Sequence, residues 1–370
     1  MARIALISNR DNNFYNFRSE LILKLVELGH DVNLVCPYGK KIDYFTQRGC
    51  KFWDIDLDRR GKNAFKDAKL ILAYRQLLKE LKPDVVLTYT TKSSVYGGMV
   101  CRWLKIPYIV NNAGLVENNN ALLEKILKVL YRVGFKGASC MMYQNGRERD
   151  YVNALLKNKV HYRDIPGSGV NLNAFAYQTY PKDDSVIRFN FVARIVGFKG
   201  IGEFLECAKR IKAKYSNTEF VIYGSFVDDD GCYKKQITEL EKNDIVKYGG
   251  IQMDMKLYIA KAHAVIHSSY YEGMTNVILE HGAIGRPSIA SDIPGCREGV
   301  DEGVSGYLFP VTNVDALVGA VERFVLLTPD EKEAMGKAAR NKMEREFDRN
   351  IVTNIYIAEI ERIINRHGIN

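Results

Sequence analysis

The sequence predicts an α/β protein made of two doubly wound, Rossmann-like domains facing across a cleft. Three observations lead there. The chain has 370 residues, more than one hydrophobic core comfortably serves. Short apolar runs alternate with amphipathic helical patterns, as they do in a parallel sheet wrapped by helices. The alternation also runs through the first half, pauses at the polar stretch Y-Q-T-Y-P-K-D-D-S (177–185), and starts again.

In the first half, strands are expected at 4–7, 32–35, 85–87, 108–110 and 141–143. A helix over 17–28 follows the first, with Leu21, Leu25 and Leu28 on one face and Gly29 as its stop. Another over 67–81 carries Leu70, Tyr74, Leu77, Leu78 and Leu81, and Pro83 follows it. In the second half, strands are expected at 189–192, 220–223, 264–267 and 287–290, and an amphipathic helix over 351–364. The domains are accordingly set at 1–175 and 176–348, with 349–370 as a final helix. In such sheets ligands sit where strand C-termini meet helix N-termini.

Composition narrows the function classes. No apolar run approaches the roughly 20 residues that span a bilayer, and the first residues read as a strand rather than a signal peptide. Seven cysteines without a C-x-x-C pair point to free thiols in a reducing cytoplasm. Residues 1–170 hold 28 Lys and Arg against 16 Asp and Glu, while the remainder is slightly acidic. A basic half beside a near-neutral half calls for an anionic partner, such as acidic phospholipid or a polyprenyl diphosphate. No zinc-finger, RNP-like or basic-zipper pattern supports nucleic acid. The six histidines form no metal-binding pattern, so no metal site is expected. G-x-G-x-x-G after the first strand, a P-loop and G-x-S-x-G are all missing.

The chemistry-bearing residues cluster in the second half. In Y-Y-E-G-M-T-N-V-I-L-E, Glu272 and Glu280 bracket the start of a helix. The N–H groups of Gly273, Met274 and Thr275 there can face an anion, and the two carboxylates can accept from hydroxyls. That pairing fits a sugar nucleotide; the plain alternative is an exposed helix with ordinary glutamates. In F-V-A-R-I-V-G-F-K-G, Arg194 follows a strand and Lys199 precedes a helix, where two cations can neutralise a diphosphate. In the first half, Arg18 stands in the first helix, Lys92 follows a strand in T-K-S-S-V-Y-G-G, and Asn112 lies in N-N-A-G-L-V. These are candidates for an acceptor site, as is Asn13 beside the first strand. The segment 121–137 is basic and amphipathic, which suits either a membrane surface or a domain helix.

Together these motifs resemble family 4 of the retaining nucleotide-sugar glycosyltransferases, which have the two-domain GT-B fold. The resemblance also rests on V-I-Y-G-S (221–225), V-K-Y-G-G (246–250), G-R-P-S-I-A-S-D-I-P-G-C-R-E and G-V-S-G-Y-L-F (303–309). F-R-S-E-L-I-L-K-L-V-E-L-G-H-D-V and Y-Q-N-G-R-E-R-D (143–150) resemble the bacterial branch that builds capsular, O-antigen and exopolysaccharide units. It implies that Arg194 and Lys199 hold the donor diphosphate without a metal, and that Glu272 with Gly273 to Thr275 positions sugar and phosphate. It implies that Glu280 binds the ribose, and that Gly224, Ser225 and Gly249 flank the base. The activity implied is transfer of a hexose or N-acetylhexosamine, with retention, from a UDP-sugar to a polyprenyl-diphosphate-linked saccharide at the cytoplasmic membrane face. No other cofactor is implied. The final helix is expected to cross back onto the N-terminal domain. A nucleotide-sugar 2-epimerase and a non-catalytic sugar- or nucleic-acid-binding protein are the rival readings. One departure stands out: the loop after the first strand lacks the family's glycine pair and reads S-N-R-D-N-N-F-Y, leaving Asn12 or Asn13 to substitute.

Overall fold

In the computed structural model, Ile4, Ala5, Leu6 and Ile7 of the first strand, β1 (Arg3–Ile7), are all buried. A strand covered on both faces reads as a continuous apolar run rather than an alternating one. The structure describes residues 1–57, 64–112, 121–182, 185–227 and 231–368, and the side chains of all of these except 64, 112 and 121–123. The chain divides into two units, Met1–Ser168 with Asn350–Asn370, and Gly169–Arg349.

The first unit holds β1, β2 (Asp31–Cys36), β3 (Lys51–Asp54), β4 (Val85–Tyr89), β5 (Tyr108–Asn112), β6 (Cys140–Tyr143) and β7 (Tyr162–Asp164). They form one sheet in the order β3-β2-β1-β4-β5-β6-β7, with every neighbouring pair parallel. The second unit holds β8 (Ile187–Val192), β9 (Thr218–Tyr223), β10 (Lys247–Gly250), β11 (Ala264–His267), β12 (Ser288–Ser291) and β13 (Gly306–Phe309). Their order is β10-β9-β8-β11-β12-β13, again wholly parallel. Both sheets are doubly wound, and each reverses its winding once, at β1/β4 and at β8/β11.

The edge strands β3, β7, β10 and β13 were not among the expected strands. In β3, β7 and β10 the covering is incomplete, and Lys51, Asp54, Tyr162 to Asp164 and Lys247 are exposed, so the apolar run that marks an inner strand is lost. β13 is buried at Gly306, Tyr307 and Phe309, and is short with a glycine at its start. The strand expected at 287–290 begins one residue later, because Pro287 has no N–H for the ladder and contributes only its carbonyl, to Val265. The helix expected over 17–28 is two helices, Asp11–Phe17 and Ser19–Glu27, broken at Arg18.

The last helix, Arg349–Arg366, belongs to the first unit from Asn350 onward. Its Val352, Tyr356, Ile360 and Ile363 join Ile4, Leu6 and Phe14 in one buried cluster. Its Glu359, almost fully buried, accepts from Arg163 (2.6 Å), Arg362 (2.7 Å) and His161 (3.2 Å). Burial opposes ionisation of this carboxyl, but those donors overcome it and hold the pKa near about 2.

The stretch 177–185, expected as a linker, is tied to the second unit through the backbone of 178–179 and the buried Tyr180, although Tyr177 to Thr179 are exposed. Arg286 is the reason. Its side chain is wholly buried, and its guanidinium donates to the carbonyls of Gln178 (3.0 Å), Thr179 (3.0 Å), Ala260 (2.6 Å), Ile284 (3.1 Å) and Gly285 (3.3 Å). Tyr180, 2% exposed, lies beneath it and donates to the His263 carbonyl at 2.7 Å. Burial lowers the guanidinium pKa to about 10, so Arg286 remains a cation at neutral pH. Replacing it by methionine removes the guanidinium donors from those carbonyls, of which Ile284 keeps the Gln178 N–H at 3.1 Å. Arg286→Met is therefore expected to cost about 3 kcal/mol in denaturant unfolding; a loss below about 1 kcal/mol would refute this account of the segment.

Candidate active site

The site of the second unit forms where β8 and β11 lie side by side and the winding of the sheet reverses. From β8 the chain passes through Arg194, a short turn Gly197–Lys199, and the helix Ile201–Lys214. From β11 it passes through residues 268–275 into the helix Asn276–Ile284. Gly200 (φ +72°) joins the two loops: a Cβ on it would stand 2.0 Å from the Ser268 carbonyl oxygen. Ser268 Oγ donates to the Gly200 carbonyl at 2.7 Å, and the Tyr270 N–H to the Phe198 carbonyl at 3.0 Å. Only a residue without a side chain allows this approach. The approach in turn sets Lys199 beside Glu272.

Glu272 Oε1 receives Lys199 Nζ at 2.5 Å and His267 Nε2 at 3.0 Å. Lys199 Nζ also reaches Ser269 Oγ at 3.4 Å. Burial on its own raises the Glu272 pKa, but the His267 hydrogen bond and the Lys199 charge overcome it and bring the pKa down to about 2. The carboxylate is thus ionised at neutral pH and can only accept hydrogen bonds. Phe198 and Tyr271 stack beside it with centroids 5.2 Å apart and planes 11° from parallel. Arg194 is exposed, its guanidinium carbon 5.5 Å from the Phe198 ring centroid, and it has no ion pair among the described residues. That leaves one exposed cation beside one already paired.

Glu280 lies midway along the helix Asn276–Ile284, half-buried and with no hydrogen-bond partner among the described residues. Burial raises its pKa to about 7, and Arg349 only partly offsets this. The two glutamates of one motif are therefore driven in opposite directions by their surroundings. Met274 packs its side chain with Val170, Leu279, Ala283, Met343 and Phe347, so only its backbone can face a ligand. The expected role of Thr275 needs correction: its N–H is already taken by the Gly295 carbonyl at 3.1 Å. Its side chain makes no cap bond either, so the first helical N–H groups are left uncapped by it.

Gly224 and Ser225 follow β9. Gly224 (φ +148°) sits so close to β8 that a Cβ would be 1.8 Å from the Ala193 carbonyl oxygen, and its N–H donates to the Gly250 carbonyl at 2.9 Å. The Ser225 carbonyl accepts from the Ile195 N–H at 2.9 Å, and the Gly249 carbonyl from Gln252 at 2.6 Å. These residues hold the ends of β8, β9 and β10 together alongside Arg194.

In the first unit, Asn13 donates to Ser8 Oγ at 3.1 Å and Asn9 Oδ1 at 2.8 Å, closing the loop after β1 in which no glycine stands. Arg18, expected at an acceptor site, is 4% exposed. The break between the two helices turns it inward, over the rings of Tyr89 (5.0 Å) and Tyr356 (5.5 Å), and it donates to the Phe17 carbonyl at 2.7 Å. Lys92 is also less available than expected, because Asp67 Oδ1 lies 2.6 Å from its ammonium. Asn112 ends β5, and its side chain, like residues 113–120 of the adjoining loop, lies outside the described residues. Among the described residues, Cys140, His161 and Glu359 are grouped closely enough to hold a metal. The two guanidinium groups on Glu359 already neutralise it, which disfavours a metal there.

His267, Ser269 and the Phe198–Tyr271 stack were not among the expected site residues. His267 reads as an ordinary strand residue, and only its place as the last residue of β11, directly ahead of the glutamate loop, hints at the site.

Comparison with known proteins agrees with the geometry. Residues 176–342 match the model of glycosyl transferases group 1, and residues 3–145 that of the glycosyl transferase 4-like domain. The chain belongs to the family 4 glycosyltransferases. The N,N'-diacetylbacillosaminyl-diphospho-undecaprenol alpha-1,3-N-acetylgalactosaminyltransferase of Campylobacter jejuni is 25% identical over 98% of this chain and 99% of its own length. The UDP-Gal:alpha-D-GlcNAc-diphosphoundecaprenol alpha-1,3-galactosyltransferase of Escherichia coli is 25% identical over 86% of this chain and 85% of its own. Anabaena HepE, solved with UDP and glucose, superposes with a TM-score of 0.75 at 17% identity, over 98% of this chain and 100% of its own. Sucrose-phosphate synthase of Thermosynechococcus elongatus reaches 0.79 at 19% identity, over 99% and 100%. These likenesses identify the fold as GT-B and the enzyme as a glycosyltransferase.

The raised pKa of Glu280 has a definite sign in stability. A carboxyl whose folded pKa lies above its unfolded value of 4.5 stabilises fully below that value, and loses the contribution as pH rises through about 7. Glu280→Gln is therefore expected to raise the melting temperature of this glycosyltransferase by about 2–4 °C at pH 8 and leave it unchanged at pH 4. Melting curves at the two pH values check this; equal shifts at both would refute it.

Proposed function

We propose that this glycosyltransferase moves a hexose or N-acetylhexosamine from a UDP-sugar to a polyprenyl-diphosphate-linked saccharide, with retention at the anomeric carbon and without a metal. The observation that carries the reading is the Lys199–Glu272–His267 cluster beside the exposed Arg194, at the winding reversal of the second sheet. Lys199 and Arg194 supply two positive charges to the departing diphosphate, the task a divalent ion performs elsewhere. Glu272 accepts from hydroxyls of the transferred sugar. Since its Oε1 already takes two donors, it is better placed as an acceptor than as a nucleophile. The anomeric C–O bond to the diphosphate breaks, the acceptor oxygen bonds on the same face, and its proton passes to the leaving phosphate oxygen. Glu280, which has no hydrogen-bond partner among the described residues, gains donors when ribose hydroxyls arrive.

The acceptor class follows the Campylobacter and Escherichia relatives, whose names specify undecaprenyl-diphosphate-linked sugars. The positive charge of residues 1–170 favours such an anionic lipid. In variants that keep the wild-type fold, Lys199→Ala and Glu272→Ala should each lower transfer to a polyprenyl-diphosphate-linked sugar by about a hundredfold or more. UDP-sugars, but not GDP- or ADP-sugars, should raise the melting temperature of the wild type. Near-normal transfer by both variants would sink the site assignment. Release of epimerised sugar without any acceptor would favour an epimerase instead.

The same reading puts the enzyme on the inner membrane face as a peripheral protein. Among the described residues no helix is long and apolar enough to cross a membrane. The helix Ala121–Phe135 exposes Ile126, Val129 and Val133, and Val133 borders an apolar groove with Trp103, Ile71 and Met99. Trp103 is 60% exposed under the guanidinium of Arg75, and Lys125 and Arg132 on the helix and Lys136 just after it are exposed. An apolar strip with an interfacial tryptophan and surrounding cations suits an anionic lipid surface. Trp103→Ala with Val129→Ser should reduce co-sedimentation with phosphatidylglycerol vesicles at least about fivefold, and neutral vesicles should bind the wild type weakly. Equal binding by variant and wild type would refute this face.

A further inference from the structure

Glu272 Oε1 is shared by two donors of different character. Lys199 approaches on a long flexible stem, and its ammonium also reaches Ser269 Oγ at 3.4 Å. His267 approaches from the end of β11, an inner strand whose register is set by Ala264 opposite Phe189 and by His267 opposite Ala290. Its side chain is 4% exposed, and Glu272 is the one hydrogen-bond partner it has among the described residues. Because an ionised carboxylate only accepts, the shared bond requires the imidazole to carry a proton on Nε2.

We propose that His267 is a positioning residue for sugar transfer: it holds the Glu272 carboxylate in place when Lys199 leaves it for the donor diphosphate. The inference rests on the reading above, in which Lys199 serves phosphate and Glu272 serves the sugar. Lys199 cannot be fully committed to both. Once it turns toward phosphate, Glu272 would be a buried charge with no fixed donor if His267 were not there, and the carboxylate would be free to rotate or to follow the ammonium. The imidazole keeps Oε1 engaged, which leaves Oε2 as the oxygen that faces the sugar. The histidine is the constant partner and the lysine the exchangeable one.

The test compares kcat and donor KM for wild type, His267→Leu, His267→Gln, His267→Asn, Glu272→Gln and the His267→Leu/Glu272→Gln double variant, with melting temperatures alongside. His267→Leu should lower kcat about 10- to 100-fold and move donor KM less than about threefold, as expected when one charge-assisted hydrogen bond is lost from a preorganised site. His267→Gln sets an amide N–H close to the lost Nε2 and should stay within about fivefold of wild type; His267→Asn, too short to reach, should behave like leucine. The double variant should be no slower than Glu272→Gln alone, because His267 acts through that carboxylate. Losses that multiply in the double variant, or glutamine and asparagine variants of equal activity, would overturn the inference. The Gln/Asn contrast decides the matter should the leucine variant not fold. If Glu272→Gln itself retains full activity, the reading of Glu272 fails, and the positioning role falls with it in a recognisably different way.

Discussion

The second unit depends on backbone touching backbone between the loops that follow two adjacent parallel strands. Gly200 lies against the Ser268 carbonyl, and the Phe198 carbonyl receives the Tyr270 N–H. No ion pair between distant side chains could set Lys199 against Glu272 so closely unless the loops themselves were in register. An alanine at 200 would have to displace the Ser268 backbone rather than a flexible side chain. The cation, the carboxylate and the histidine are therefore consequences of a close approach that has no charge of its own.

That approach also explains why one motif yields two carboxylates of opposite behaviour. Glu272 lies in the loop and meets donors from β8's loop and from β11, so it stays ionised to strongly acidic pH. Glu280 lies eight residues on, in a helix whose Ile278, Leu279, Ala283 and Ile284 are buried, with only Arg349 to favour its charge. The site thus has one acceptor already charged and held, and another without a hydrogen-bond partner among the described residues. The arrangement suits a ligand that brings its own donors.

The first unit is held by a different device. Its last helix supplies Tyr356, whose hydroxyl donates to Asn111 Oδ1 at 2.8 Å at the end of β5, and Glu359, which gathers Arg163, Arg362 and His161 at the β6–β7 edge. Arg18 is drawn into the same region by the tyrosine rings. A residue that looks like an exposed helical cation in the sequence is thus part of the internal packing. Amphipathic spacing gives no sign of this, because the partners come from residues 89 and 356, far along the chain.

The sequence by itself determined the fold class, the inner strands and the family. Parallel strands buried on both faces must be apolar throughout, and the motif from Tyr270 to Glu280 needs its residue types in a local order. Local chemistry could also name Arg194, Lys199, Glu272 and Glu280. Tertiary structure decided what depends on residues distant in sequence: the edge strands, the inward turn of Arg18, the pairing of Lys92 with Asp67, and the burial of Arg286 over 178–179. It also decided the place of His267, which in sequence is a strand histidine and in space is the second donor to Glu272. The physical reason is the same throughout. Periodicity records which face of an element is covered, whereas a shared hydrogen bond depends on which other strand ends beside it.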